Sequence, residues 1–430
     1  MVLSQYCSIY NEPQGTAIIF STKTGTFVRV PRSMLAEINA GNISDEEQGS
    51  LAKLGLLVSD HDSERQDMLR MLDERAAQYK GASIVFVMNL DCNLGCWYCY
   101  EGKRKNGLYL SRQMADKAID FIRQSILPFG NQIGVSFYGG EPLLSFEMMV
   151  YLAERISGLV GGDGVFSGNM VTNGTLMTPS KATILKNRGI TDIQVTLDGP
   201  KETHDLSRPF KTGKGSFDII VRNIRSVCDI LNIDLTANYT KENYLQFPKL
   251  LDYLGDNGLA PEKLASVRFS PVMGETSEFV SPEISMKCAR SDDEWIIEAH
   301  GYLREEALKR GYKSSLTAPS LCPMHDSRNL TINHNGDIYR CPGYLGREKF
   351  VIGNVETGLV DSIAYKLNSW KNDECLSCKY LPMCFGGCRY QNIIEDEQYS
   401  ALQCRRAYLE KSLSTLLKQD VTYALNSSGG

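Results

Sequence analysis

Three cysteines in the first quarter of the chain have the clearest potential for chemistry. Cys92, Cys96 and Cys99 follow an apolar, strand-like run, Ile84–Leu90, and their spacing is C-x3-C-x2-C. Three thiolates can hold three irons of a cubane [4Fe–4S] cluster, which leaves the fourth iron open to another ligand. Structural zinc sites use four protein ligands in paired spacings, and no fourth ligand is evident beside this triplet. The spacing therefore favours an iron–sulfur cluster over zinc or three unrelated buried thiols.

The segment C-N-L-G-C-W-Y-C at residues 92–99 resembles the signature of the radical S-adenosylmethionine (SAM) enzymes, with Tyr98 as the aromatic residue before the last cysteine. The resemblance implies that the amino and carboxylate groups of SAM bind the open iron. It also implies that one electron cleaves SAM to a 5′-deoxyadenosyl radical, which abstracts a hydrogen atom from a substrate. The protein would supply orientation and exclude water.

The chain around this segment alternates strand and helix patterns, which is typical of a parallel α/β architecture. Six such units are similar to the partial (β/α)6 barrel of the radical SAM family, and we assign them to residues 81–312. The predicted strands are Ile84–Leu90, Ile133–Tyr138, Val165–Thr172, Asp192–Leu197, Ile233–Thr240 and Val267–Val272. Active sites of parallel α/β folds gather at the carboxyl ends of the strands.

Candidate SAM contacts follow successive predicted strands. Gly139, Gly140 and Glu141 follow the second strand, Asn173 ends the third and Thr196 ends the fourth. In the radical SAM family the Gly-Gly-Glu segment binds the amino group of SAM. Thr196 and a later arginine resemble the S-x-D-G-P…H-D-x-x-R pattern of peptide- and protein-modifying members, in which the hydroxyl residue and the arginine contact SAM; Thr196 stands in the place of the serine. That arginine is Arg208, while Asp198 and His204 of the same pattern are expected to fix the loop.

Residues 313–406 contain a second cysteine pattern. It resembles the seven-cysteine SPASM extension, which carries auxiliary iron–sulfur clusters, although a zinc ribbon is the alternative for this region taken alone. The seven residues are Cys322, Cys341, Cys375, Cys378, Cys384, Cys388 and Cys404.

The resemblance divides these cysteines between two auxiliary [4Fe–4S] clusters. Cys375, Cys378, Cys384 and Cys404 would complete one cluster, and the remaining three would hold an inner cluster that is one ligand short. Several relatives have a further cysteine where this chain has Arg328. Cys288 or another residue would fill the gap, or a substrate thiolate would bind there.

The ends of the chain are less specific. Residues 1–80 contain a hairpin pattern, Ala17–Ser21 and Thr26–Val30, with short helical patterns after it. This arrangement resembles the winged-helix element that grips the leader of a precursor peptide, and a capping subdomain without a ligand is the alternative. Residues 407–430 are predicted to form a packing helix and a tail.

The composition of the chain limits which kinds of partner it is expected to bind. The chain has 430 residues, 42% hydrophobic residues and a formal net charge of −5, which gives no electrostatic reason to expect nucleic acid or a membrane surface. No basic segment followed by an apolar run starts the chain, so we expect a cytoplasmic protein. Thirteen cysteines in a reducing compartment indicate metal rather than disulfides.

These features together predict a radical SAM oxidoreductase that matures a ribosomally made precursor peptide. We expect the product to contain a cross-link, above all a cysteine-to-carbon thioether, and a carbon–carbon linkage or an epimerised residue remains an alternative. The external electron donor is expected to be flavodoxin or ferredoxin. An anaerobic sulfatase-maturating enzyme, which forms formylglycine, is the alternative. Those enzymes have an aspartate where this chain has Pro342. A non-catalytic iron–sulfur electron carrier is the alternative from a different class.

Overall fold

We analyse a computed structural model of the chain. It describes residues 1–13, 15–78, 81–99, 101, 107–273, 288–290, 293–315, 317–319, 321–360, 367–391 and 402–427. Tyr100, which follows the last cysteine of the first triplet, lies outside these residues, as do residues 428–430 of the predicted tail.

The N-terminal residues form two small antiparallel sheets and three helices. Strands β2, β3 and β4 make one sheet in that order, and β1 pairs with β5 in the other. Ser44 and Glu47 form a capping box that starts the second helix. The elements are β1 (Val2–Leu3), β2 (Cys7–Asn11), β3 (Thr16–Ser21), β4 (Phe27–Pro31), α1 (Arg32–Ala40), α2 (Asp45–Lys53), β5 (Leu57–Val58) and α3 (His61–Gln78).

Six parallel strands follow in the order of the chain, each paired with the next. They confirm the six predicted strands, with ends displaced by at most three residues. The strands are β6 (Gly81–Val87), β7 (Gln132–Tyr138), β8 (Val165–Thr172), β9 (Ile190–Thr196), β10 (Asn232–Tyr239) and β11 (Ser266–Pro271).

Amphipathic helices connect these strands and cover the sheet. In the helix over Phe217–Val227, for example, Ile220, Val221, Ile224 and Val227 are buried, which is the spacing of one helix face. The helices are α4 (Arg112–Ser125), α5 (Phe146–Val160), α6 (Pro179–Asn187), α7 (Lys201–Ser207), α8 (Phe217–Val227), α9 (Phe247–Asp256) and α10 (Trp295–Lys309). Asp292, where we predict the last of these helices to begin, lies outside the described residues.

The cysteine-rich region extends the same sheet. Its first strand, β12 (Asn329–Ile332), pairs in parallel with β6, and β13 (Asp337–Tyr339), β14 (Gly353–Asn354) and β15 (Gly358–Leu359) continue as antiparallel strands. The result is a ten-stranded sheet with β11 and β15 at its outer edges. These four strands are not predicted from the sequence, because they are short and lack a sustained period-2 pattern.

The rest of the region is helical. Two short helices, α11 (Asp373–Leu376) and α12 (Leu381–Cys384), precede the long C-terminal helix α13 (Arg406–Ser427), which confirms the predicted packing helix. A buried ion pair between Arg304 and Asp420 ties α13 to α10. The N-terminal residues pack on this region. The hydroxyl of Tyr6, the residue before β2, donates to the Leu376 carbonyl at 3.0 Å.

Candidate active site

The cysteine triplet lies in the loop after β6, at the carboxyl end of that strand. The segment between α7 and α8 braces this loop through backbone hydrogen bonds, with Gly95 N donating to the Pro209 carbonyl at 2.8 Å. The buried Cys92 sulfur accepts from Leu94 N at 3.4 Å and from Asn173 Nδ2 at 3.7 Å. Such N–H···S contacts orient a cysteine ligand and tune the potential of an iron–sulfur cluster.

A cavity of about 500 Å³ opens at the carboxyl ends of the strands. The structure brings nearly all the predicted SAM-site residues to it. Its lining includes Cys92, Cys96, Tyr98, Cys99, Gly139, Gly140, Asn173, Thr196 and Arg208. It also includes Cys341 of the cysteine-rich region and Cys288.

Glu141 is the predicted site residue that the cavity lining does not include. Its carboxylate is fully buried and accepts three hydrogen bonds: from Leu143 N at 2.9 Å, from the Thr172 hydroxyl at 2.7 Å and from Asn173 N at 2.8 Å. Burial raises the pKa of Glu141, and these donors oppose the shift because they stabilise the ionised form. The carboxylate therefore ties the end of β7 to the end of β8 and holds Asn173 in place.

Gly139 and Gly140 are required by close packing against the cysteine loop. A Cβ atom on Gly139 would lie 2.4 Å from the Asn89 carbonyl oxygen, and one on Gly140 would lie 2.0 Å from that of Asp91. Glu141 N donates to the same Asp91 oxygen at 2.7 Å. The absence of side chains thus allows the two backbones that border the cavity to meet.

Tyr98 joins the cysteine loop to the ends of β9 and β10 through its hydroxyl. The hydroxyl donates to Asp198, and it accepts from Arg208 Nη1 at 2.7 Å and from Asn238 Nδ2 at 3.1 Å. Burial raises the pKa of Tyr98, so the phenol stays protonated. Arg208 lines the cavity, while its Nε is buried without a hydrogen-bond partner.

His204 fixes the loop, as the sequence pattern predicts, and is fully buried. Its Nδ1 accepts from Asp198 N at 3.2 Å, so the proton resides on Nε2, which lies 3.0 Å from the Ser216 hydroxyl. Burial and the charges of Arg208 and Lys201 lower the pKa of His204 to about 3. The imidazole is therefore neutral.

The seven cysteines of the C-terminal region fall into two groups by mutual proximity. Burial is the main cause that raises the pKa of Cys341 to about 12, and the thiols of Cys388 and Cys322 contribute. Burial likewise raises the pKa of Cys384 to about 11, with contributions from the other members of its own group. Those members are Cys375, Cys378 and Cys404. We call the set of Cys322, Cys341 and Cys388 the inner group, and the set of Cys375, Cys378, Cys384 and Cys404 the outer group.

The chemistry of the cysteine triplet fits an iron–sulfur cluster, because cysteine thiolates are the usual protein ligands of such clusters. Cys92, Cys96 and Cys99 line one cavity together with Arg208 and the Gly139–Gly140 backbone, so this cavity could hold a cluster with SAM beside it.

Three polar residues that line the cavity are not among the predicted site residues. Gln194 lies two residues before Thr196 on β9, and Thr236 and Asn238 occupy the matching face of β10. Polar residues at alternate positions near the carboxyl end of a buried strand carry this signal. No described helix is long and apolar enough to cross a membrane.

Comparison with known proteins defines the class. Residues 87–254 match the sequence profile of the Radical SAM superfamily. Most residues that line the cavity, including Cys92, Cys96 and Cys99, lie within this segment. Residues 87–254 therefore form a radical SAM domain.

Three curated relatives have different names. The chain is 24% identical over 364 residues to Fe-coproporphyrin III synthase of Methanosarcina barkeri, covering 73% of this chain and 86% of that protein. It is 25% identical to the serine-type anaerobic sulfatase-maturating enzyme of Bacteroides thetaiotaomicron, with 74% and 85% covered. It is 26% identical to the mycofactocin maturase MftC of Mycobacterium tuberculosis, with 69% and 75% covered.

Solved structures share the fold. Native anSMEcpe with bound AdoMet superposes with a TM-score of 0.62 at 18% identity, covering 80% of this chain and 98% of that one. Streptococcus suis SuiB bound to the precursor peptide SuiA gives a TM-score of 0.53 at 16% identity. That comparison covers 94% of this chain and 98% of SuiB.

Proposed function

We propose that this chain is a radical SAM maturase that modifies a precursor peptide. The observation that carries the proposal is the shared cavity: Cys92, Cys96 and Cys99 line it together with Cys341 of the cysteine-rich region. A substrate in this cavity would lie between the two kinds of cysteine site. An electron carrier has no need of such a cavity.

The chain's own residues hold and orient the reactants. The cysteine triplet would hold the cluster, and the Gly139–Gly140 backbone, Thr196 and Arg208 would hold SAM. When bound, the cluster and SAM together supply an electron and the radical that removes a hydrogen atom from the substrate. Asn173 donates to the Cys92 sulfur, and Arg208, which lines the cavity, would donate to an acceptor on SAM.

Two features support a peptide as the substrate. The fold shared with SuiB, whose structure contains a precursor peptide, covers 94% of this chain and so must include most of residues 1–80. Within those residues β4 forms one edge of its sheet. An extended peptide can add a strand to such an edge, so we assign leader binding to the N-terminal domain.

The cysteine-rich region is an argument for two auxiliary clusters and for a thioether product. The outer group has four cysteines, whereas the inner group has three and lines the cavity through Cys341. A substrate thiolate would fill the vacant inner position, and Cys288, which lines the same cavity, is the competing ligand. Cys404 of the outer group is exposed, so flavodoxin or ferredoxin could exchange electrons there. We also assign the chain to the cytoplasm, where cysteines stay reduced and available as cluster ligands.

A sulfatase-maturating activity is the second candidate, because curated relatives include enzymes of that name. Pro342 follows Cys341 in this chain, in the position where those enzymes have an aspartate base. Proline cannot accept a proton from a substrate. We therefore place the peptide cross-linking activity first.

The first test is anaerobic. We would load the protein with iron and sulfide, add SAM and a strong reductant, and measure 5′-deoxyadenosine by mass spectrometry. The control carries Cys92→Ala, Cys96→Ala and Cys99→Ala. Deoxyadenosine from the parent alone supports the proposal, whereas a parent that carries about twelve irons, as three cubanes require, and forms none would refute it.

The second test identifies the product. Peptides encoded by short reading frames beside the gene would be incubated with the loaded enzyme and analysed by mass spectrometry. A thioether removes a pair of hydrogen atoms and leaves a cysteine that iodoacetamide cannot alkylate. An aldehyde that reacts with a hydrazide would instead indicate formylglycine and reverse the order of the two candidates.

A further inference from the structure

The turn between Cys384 and Cys388 has an unusual backbone. Phe385, Gly386 and Gly387 all have positive φ angles, of 41°, 82° and 78°. Phe385 is the only non-glycine residue with a positive φ among the described residues. A non-glycine residue keeps this conformation only where its surroundings enforce it. The turn also joins the two cysteine groups, since Cys384 belongs to the outer group and Cys388 to the inner group.

Arg389 occupies the inside of this turn. Its Nη1 donates to the carbonyls of Gly386 and Gly387, at 2.5 Å and 3.2 Å. Its Nη2 donates to the carbonyls of Phe385 and Leu367, at 3.0 Å and 3.2 Å. The planar guanidinium thus binds every carbonyl between the two cysteines, which a lysine could not do with the same geometry.

Among the described residues, Arg389 has no carboxylate partner. Its side chain is 5% exposed, its Nε lacks a hydrogen-bond partner, and all four of its acceptors are neutral carbonyls. A buried cation without an opposite charge is strongly unfavourable. Burial lowers the pKa of Arg389, and Cys322, Cys388 and Cys384, when ionised, oppose this shift. Two of those cysteines belong to the inner group and one to the outer group. Cys384 and Cys388 flank the turn whose carbonyls Arg389 binds.

We propose that Arg389 is the shared counter-ion of the two auxiliary clusters. This inference rests on the proposed function, because it requires clusters at both cysteine groups. A cluster held by thiolates is negatively charged, and one-electron reduction adds to that charge. A fixed cation beside it stabilises the reduced form, so Arg389 raises the reduction potentials of both clusters and makes the turn stable once they are present.

The test measures reduction potentials in the full-length chain. Cys92→Ala, Cys96→Ala and Cys99→Ala remove the cluster of the SAM site, which leaves about eight irons if two auxiliary cubanes form. In this background we would compare Arg389→Met, Arg389→Lys and Arg405→Gln by iron analysis and by redox titration followed with EPR. Arg405 is the matched control, because it also follows a cysteine ligand but is exposed.

We expect Arg389→Met to shift the auxiliary potentials to more negative values, Arg389→Lys to stay near the parent and Arg405→Gln to change little. If Arg389→Met fails to retain iron, retention by Arg389→Lys still supports a role for the charge. Parent-like potentials in Arg389→Met would overturn the proposal. So would equal loss of iron from the Met and Lys variants, which would assign Arg389 to hydrogen bonding alone. A parent background without auxiliary iron would refute the clusters themselves, and this inference with them.

Discussion

Removing the hydroxyl of Tyr98 tests the polar network at the mouth of the barrel. Tyr98→Phe keeps the ring but deletes the atom that receives hydrogen bonds from Arg208 Nη1 at 2.7 Å and from Asn238 Nδ2 at 3.1 Å, and that donates to Asp198. Each buried group left without a partner costs about 1–3 kcal/mol. Arg208 and Asp198, already 3.8 Å apart, can close to a direct ion pair and recover part of that cost.

The same movement would draw the Arg208 guanidinium toward Asp198 and away from its place in the lining of the cavity. Losing one hydrogen bond from Arg208 to SAM should cost about 1–2 kcal/mol of binding free energy, and since 1.4 kcal/mol corresponds to tenfold, SAM should bind roughly ten times more weakly. The cluster should form normally, because all three cysteines remain. Equilibrium dialysis of SAM against the anaerobically loaded protein, with iron analysis alongside, measures both quantities.

Tyr109→Phe is the matched control. Its hydroxyl also donates to an aspartate of the cysteine loop, Asp91, at 2.8 Å, but the side chain is 45% exposed. Water can replace that hydrogen bond, so SAM affinity should change little. Unchanged SAM binding in Tyr98→Phe, or equal effects in both variants, would refute the assignment of Arg208 as a SAM ligand held by Tyr98.

Three further variants test the framework of the site. Glu141→Gln should lower the free energy of unfolding by about 1–3 kcal/mol in urea titrations, because the new amide group must face the N–H of Asn173; an unchanged midpoint would contradict this. The pKa of His204 is about 3 in the folded chain, below its value of about 6.5 in the unfolded chain. The neutral imidazole therefore stabilises the fold fully above about pH 6.5, and as the pH falls below that value this contribution decreases by up to about 1.4 kcal/mol per pH unit. His204→Gln should therefore flatten the loss of stability between pH 7 and 5, and an equal slope in parent and variant would count against it. Gly140→Ala places a Cβ 2.0 Å from a backbone oxygen of the cysteine loop and should lose roughly one third of the iron, whereas Gly158→Ala on α5, with open space around it, should lose none.

The sequence predicts the barrel well because local patterns determine its elements. The six parallel strands are apolar runs bounded by turns, and their order in the sheet is their order in the chain. Strand β12 was not predicted, because its pairing with a distant strand, and not a local pattern, determines it. It has four residues, and its partner β6 lies more than 240 residues earlier, so only the folded chain brings Thr331 beside Val85.

The site was predictable where chemistry imposes spacing, as in the cysteine patterns and the Gly-Gly pair. The role of Glu141 was not. Its position in the sequence suggests a ligand for the amino group of SAM, but the structure gives its carboxylate three internal donors. Which atoms reach the cavity depends on how neighbouring loops pack, and motif spacing does not encode that.

The pairing of β12 with β6 explains how one cavity can receive both kinds of cysteine. β6 leads directly to Cys92, and β12 leads through the β13 turn to Cys341, so the two cysteines leave adjacent strands of one hydrogen-bonded sheet. A flexible linker would let the distance between them vary, whereas a continuous sheet fixes it. For this reason the cysteine-rich region acts as part of the barrel. Weakening the β6–β12 pairing should disturb the Cys341 side of the cavity while leaving the cysteine triplet intact.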